Sequence, residues 1–191
     1  MKLFLIIILL SLALPILPVA QVNNNIISFG SGYSNAANSS NSGYNYWLQF
    51  SKGVSKRISL ATDFEHLEFK QPNAYVINTQ KNPEQKVSDN NISLVVQYNF
   101  LQKHKVSFSI GSGIAYKIKL IEYYDTYYFA GVTGEITTRN VVGGSFIELP
   151  IIGNTYYSIS KKILLGLRLK YNISPKDVST YSASLGVAIQ L

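Results

Sequence analysis

Asp63, Glu65, Lys117, Lys119, Glu148, Arg168 and Lys170 all fall on the face opposite the aliphatic stripes of the chain, where they can neutralise one another. Three acids against four bases is close to balance, which points to ion pairing rather than to a charged surface. Asp63 and Glu65 follow the Ser55 to Arg57 turn by six to eight residues. Arg168 follows the Ser160 to Lys162 turn by a similar distance, so one of the acids is expected to meet it across a narrow interior and plug that interior. Lys117 and Glu148 flank the 121–144 segment at matching heights, the spacing of cross-strand neighbours. A paired lumen is the plainer chemistry, and an ion pathway is the sharper one, because ionisable groups inside a membrane commonly mark function.

Other chemistry finds less support. The two histidines are His66 and His104. His104 sits between Lys103 and Lys105 in a short turn, as a solvated residue would. His66 follows Glu65 where the alternation slips, since Leu67 and Phe69 run out of phase with Phe64; a bulge there would aim His66 at the outer rim. A lipid-modifying hydrolase would need a serine and a carboxylate beside it, and no spacing selects that serine. Gly30-Ser31-Gly32 and Gly111-Ser112-Gly113 lack the lysine and following helix of a phosphate loop. With no cysteine there is neither a thiolate nucleophile nor a zinc-cysteine site. No catalytic residue, metal ligand or cofactor is expected.

The elements that position the charges have period two, the mark of strands with one apolar face. Ile163, Leu165, Leu167, Leu169, Tyr171 and Ile173 alternate with Leu164, Gly166, Arg168, Lys170 and Asn172, and Tyr181 to Leu191 repeats the rule. Similar stripes begin at Ile27, Tyr44, Ile58, Ile92, Val106 and Ile147, giving eight candidate strands. Their connections alternate in length. Short links lie near 55–57, 101–105 and 160–162; long polar ones run over 34–42, 70–89, 121–144 and 174–179. That alternation predicts an all-β, up-and-down antiparallel barrel with both termini and all short turns at one end.

Lys2, the apolar run from Leu3 to Leu17 and the small Ala20 have the order of a secretory signal peptide, so residues 1–20 are read as a signal and 21–191 as one barrel domain. Charged residues are only 14% of the chain, against roughly 25% in soluble proteins, while tyrosine contributes 14 residues. The net charge of +7, or +6 once Lys2 is removed, is scattered rather than gathered into a stripe, which argues against nucleic acid as a partner. Because the face opposite the apolar stripes is rich in glycine, serine and alanine, it suits a crowded lumen better than a water-exposed surface. Tyr44, Tyr46, Tyr98, Phe100, Tyr116, Tyr157, Tyr171 and Tyr181 lie near the strand ends, as interfacial girdles do.

Together with Phe29-Gly30-Ser31-Gly32-Tyr33, Glu148-Leu149-Pro150 and the alternating last strand, this organisation resembles the small outer-membrane β-barrel proteins, the group that includes the transmembrane half of outer membrane protein A. The resemblance implies a transmembrane barrel of about eight strands in the outer membrane of a Gram-negative bacterium. It also implies outer-membrane lipid and the barrel-assembly machinery as partners, although Leu191 stands where such chains usually end in an aromatic residue. The 121–144 loop, with Tyr123, Tyr124, Tyr127, Tyr128 and Phe129, reads either as a hairpin with interfacial aromatics or as a surface for an external protein or carbohydrate. The expected role is structural or interactive. A soluble lipocalin-like binding barrel and a lipid-modifying enzyme are the alternatives.

Overall fold

The computed structural model describes residues 25–37, 42–72, 84–103, 105–128 and 135–191. The proposed signal segment and His104 lie outside the described residues. Eight strands follow one another: β1 (Ile26–Ala36), β2 (Ser42–Gly53), β3 (Ile58–Pro72), β4 (Glu84–Lys103), β5 (Val106–Tyr128), β6 (Glu135–Ser158), β7 (Ile163–Ile173) and β8 (Thr180–Gln190). Each pairs antiparallel with the next, and β1 pairs with β8 to close the barrel. Closure leaves no sheet edge, the condition for strands to cross hydrocarbon.

The outer wall is aliphatic and aromatic. Ile163, Leu165, Leu167, Leu169 and Tyr171 of β7 are all exposed, while Gly166, Arg168 and Lys170 between them are enclosed. An eleven-residue strand is about the length that crosses a bilayer at the usual tilt. A soluble ligand-binding barrel has the reverse arrangement, with its apolar face inside.

Two of the short turns share one design. In Val54-Ser55-Lys56-Arg57-Ile58, the Ser55 hydroxyl accepts from the backbone N–H groups of Arg57 and Ile58 at 3.3 and 3.1 Å. In Ile159-Ser160-Lys161-Lys162-Ile163, the Ser160 hydroxyl accepts from Lys162 and Ile163 at the same distances. Serine satisfies turn donors that the ladder cannot reach. Because the turns match, residues equally far beyond them stand at the same height in β3 and β7.

Two sequence expectations are corrected. The polar connections are shorter than the composition indicates: β3 and β4 stay paired to Pro72–Glu84 in unbroken register, and β5 and β6 stay paired to Tyr128–Glu135, where the tyrosine, threonine and valine content of the hairpin favours the ladder. No bulge occurs at His66. The β3 register is unbroken on both sides, and Leu67 and Phe69 instead point inward to pack with Val87 and the partly buried Ile121. The irregularity that does occur lies between Asn99 and Leu101 in β4.

Candidate functional site

Arg168 and Lys170 project into the lumen from β7, facing Asp63 and Glu65 on β3, four strands away. The Arg168 guanidinium donates to both Asp63 carboxylate oxygens, at 2.6 and 2.8 Å, the fork geometry of a bidentate pair. Lys170 bridges the two acids, 2.8 Å from Asp63 and 2.6 Å from Glu65. Asn45 and Ser182 each donate to Glu65 Oε1 at 3.1 Å, and Arg168 lies 4.6 Å above the Trp47 ring. Two acids and two bases thus balance one another in a fully enclosed space.

Glycine makes room for that bulk. Gly30, Gly186 and Gly166 are register partners in a row across β1, β8 and β7. A Cβ on Gly186 would lie 2.7 Å from Trp47 Cζ2, and one on Gly166 would lie 2.9 Å from the Tyr156 ring. The inward aromatics Trp47 and Tyr156 therefore lean on a strip of bare backbone. Below them the lumen is neutral and polar: Asn154 donates to Gln49 at 3.3 Å, Tyr156 donates to Ser28 at 3.3 Å, and a cavity of about 50 Å³ opens at the turn end, lined by Ser51, Ser59, Gln97, Ser109 and Tyr156.

A second charged cluster fills the opposite end. Lys117 sits 2.5 Å from Glu148, 2.6 Å from Asp177 and 3.7 Å from Asp89, and Lys119 bonds Asp177 at 2.8 Å. The Lys117 ammonium thus occupies the centre of three carboxylates and lies 5.6 Å from the Phe146 ring. Glu148 is not directly opposite Lys117. Its register partner is Ala115, and Lys117 pairs with Phe146 two residues along, so the contact is diagonal. Asp177 belongs to the β7–β8 connection. Half-burial works against its charge, but hydrogen bonds from Lys117, Lys119 and the Val178 backbone hold its carboxyl below the usual carboxylate range.

The seven residues singled out from the sequence therefore lie in two groups: Asp63, Glu65, Arg168 and Lys170 in mid-lumen, and Lys117, Lys119 and Glu148 at the mouth. Sequence reasoning missed Asp89, which fell in a presumed loop, and Asp177, which lies in a real one. It also missed Trp47 and Tyr156. Their signal was present, since both sit on the polar side of their stripes.

His66 stands on the outer wall. Its Nδ1 is 2.9 Å from Asn90 Oδ1, and its Nε2 is 4.0 Å from Glu68. Among the described residues, no serine hydroxyl is bonded to it.

An apolar wall in eight closed strands around an ion-paired interior is found where lipid lies outside. The chain has the fold of a small outer-membrane β-barrel. Solved structures agree. Neisserial surface protein A aligns with a TM-score of 0.58 at 12% identity, over 88% of this chain and 97% of that one. Ail, the attachment invasion locus protein of Yersinia pestis, gives 0.55 at 11%, over 88% and 99%. The N-terminal barrel domain of Pseudomonas aeruginosa OprF gives 0.51 at 14%, over 88% and 98%. At such identities the likeness is one of fold. No protein-family model and no curated protein sequence matches the chain.

Proposed function

We propose that the protein is a closed, non-conducting barrel of structural or interaction type, whose ion-paired lumen holds external hairpins rigidly enough to engage a partner outside the cell. The supporting observation is the Asp63–Arg168 contact, which joins opposite walls of the lumen and is reinforced by Lys170 and Glu65. An eight-stranded barrel leaves room for side chains or one small ligand, and here side chains take it. Exported as residues 21–191, the chain would meet the assembly machinery through its last strand.

The external surface is led by the β5–β6 hairpin, whose ladder runs on to Tyr128–Glu135. Its 121–144 segment holds Glu122, Asp125 and Glu135 against Arg139 and is rich in tyrosine. Ail has been crystallised with the heparin analogue sucrose octasulfate. An acidic, aromatic hairpin fits a neutral carbohydrate or a protein instead, since aromatic faces stack on apolar sugar faces whereas its charge repels sulfates. A non-enzymatic role is supported by His66, whose hydrogen bond goes to Asn90 and not to a nucleophile.

Planar-bilayer recording tests the closed lumen. The account expects no stepwise conductance at neutral pH, and discrete openings of the wild type would overturn it.

A further inference from the structure

The outer wall carries two grooves of similar size. One, of about 460 Å³, runs over Gly153 and Thr155 between Phe108 and Ile110 on one side and Leu167 and Leu169 on the other. Its exposed lining is mostly apolar, with Tyr171, Tyr181 and Ser182 towards one end. The second, of about 440 Å³, lies over β4 with Ile92 and Asn90 among its lining, between Leu48, Phe64 and His66 on one side and Ile118 on the other. Its character changes from end to end.

Strand register fixes that change. Leu48, Phe64, Ile92 and Tyr116 form one level of adjacent outward positions. Tyr46, His66, Asn90 and Ile118 form the next level, farther from the short turns and so nearer the external surface. The apolar end therefore points into the membrane and the polar end towards the headgroups. Asn90 Oδ1 can only accept, so His66 Nδ1 donates across the 2.9 Å contact. That bond leaves the Asn90 amide N–H groups as donors. Above them, Glu68 and Lys86 form an ion pair at 3.0 Å, while Lys70 and Glu122 are the register partners of Lys86 on either side. Two bases and two acids give that rim no net charge.

We infer that this groove binds one acyl chain of an outer-leaflet lipid, with Asn90 donating to the ester or amide carbonyl where the chain meets its head. A hydrocarbon chain has the polarity of the lower end, its linkage carbonyl needs the donor that Asn90 presents, and the neutral rim does not select head charge. The sister groove over Gly153 ends at Tyr171 and Tyr181 and has no amide donor in its lining, so it takes hydrocarbon with less hold on a particular linkage.

The test is paramagnetic broadening of backbone amide signals from the isotope-labelled protein in nanodiscs doped with a trace of phosphatidylcholine spin-labelled on its acyl chain. The wild type is expected to show broadening severalfold stronger at residues 64–66, 90–92 and 118 than at 153–155 and 167–169. Ile92→Phe, which fills the groove, should erase the difference. Asn90→Leu, which keeps the groove but removes the donor, should reduce it at least twofold, and folding of both variants is checked by the dispersion of the remaining signals. Equal broadening around the wall in the wild type would overturn the inference. So would an enhancement that appears only with spin-labelled phosphatidic acid, because it would mark a charge site.

Discussion

The two charged clusters of the lumen differ in what supports them. In mid-barrel, every participant stands on a strand: Asp63 and Glu65 on β3, Arg168 and Lys170 on β7, with Asn45 and Ser182 from β2 and β8. At the mouth, Lys117, Asp89 and Glu148 also stand on strands, but Asp177 comes from the β7–β8 connection and meets both lysines. The first cluster is balanced and sealed from water. The second has three acids around two bases, and Asp177 and Lys119 remain partly open to solvent. Wall-to-wall pairing in a sealed lumen should carry stability, whereas pairing through a connecting segment should tune the mouth at lower cost.

The largest effect should follow from breaking the sealed cluster. Arg168→Met leaves two buried acids facing one lysine, and losing one partner of a buried pair costs about 3–5 kcal/mol. Denaturant unfolding in detergent, followed by the fluorescence of Trp47 beneath the guanidinium, should show that loss. A smaller cost, about 1–3 kcal/mol for overpacking, is expected for Gly186→Ala, because the added methyl meets the Trp47 ring and the Phe29 backbone. The same unfolding assay measures it, with a shift in Trp47 emission as a second readout.

At the mouth, Asp177→Asn should cost about 1 kcal/mol or less, since water and the neighbouring acids compensate. Its pH dependence sharpens the contrast. The Asp177 carboxyl is depressed below its ordinary 3.8 in the folded state, so its contribution is complete above that value and disappears as pH falls through the lower folded value. Wild type should therefore lose more stability than Asp177→Asn on acidification through that range. Equal losses would mean that the Asp177 contacts do not stabilise the fold.

The same contrast explains what the sequence made legible. Matching Ser-Lys-Arg-Ile and Ser-Lys-Lys-Ile turns place Asp63 and Arg168 the same number of residues beyond their turns, so counting along two periodic strands brought Arg168 to Asp63 or Glu65, and in the structure it is Asp63 that it meets. Counting fails where periodicity ends. Asp177 sits in a connection whose path no repeat determines, and Asp89 lies in a polar stretch of β4 with no apolar stripe to set its phase. Leu67 and Phe69 misled for the opposite reason: their apolar character changes face while the backbone register does not, so a bulge was expected where the lumen is lined with hydrocarbon. Trp47 is explained only in three dimensions, by a glycine row that crosses the closure from Gly30 to Gly186 and Gly166.

A double-mutant cycle between Asp63 and Arg168 tests the central claim most directly. Unfolding free energies of the wild type, Asp63→Asn, Arg168→Met and the double variant would be measured in the same detergent at neutral pH. The ion-paired lumen predicts that the double variant is far less destabilised than the sum of the single ones, with a coupling of about 2 kcal/mol or more. Additive losses would contradict it, because they would mean that the two walls are not joined through these side chains.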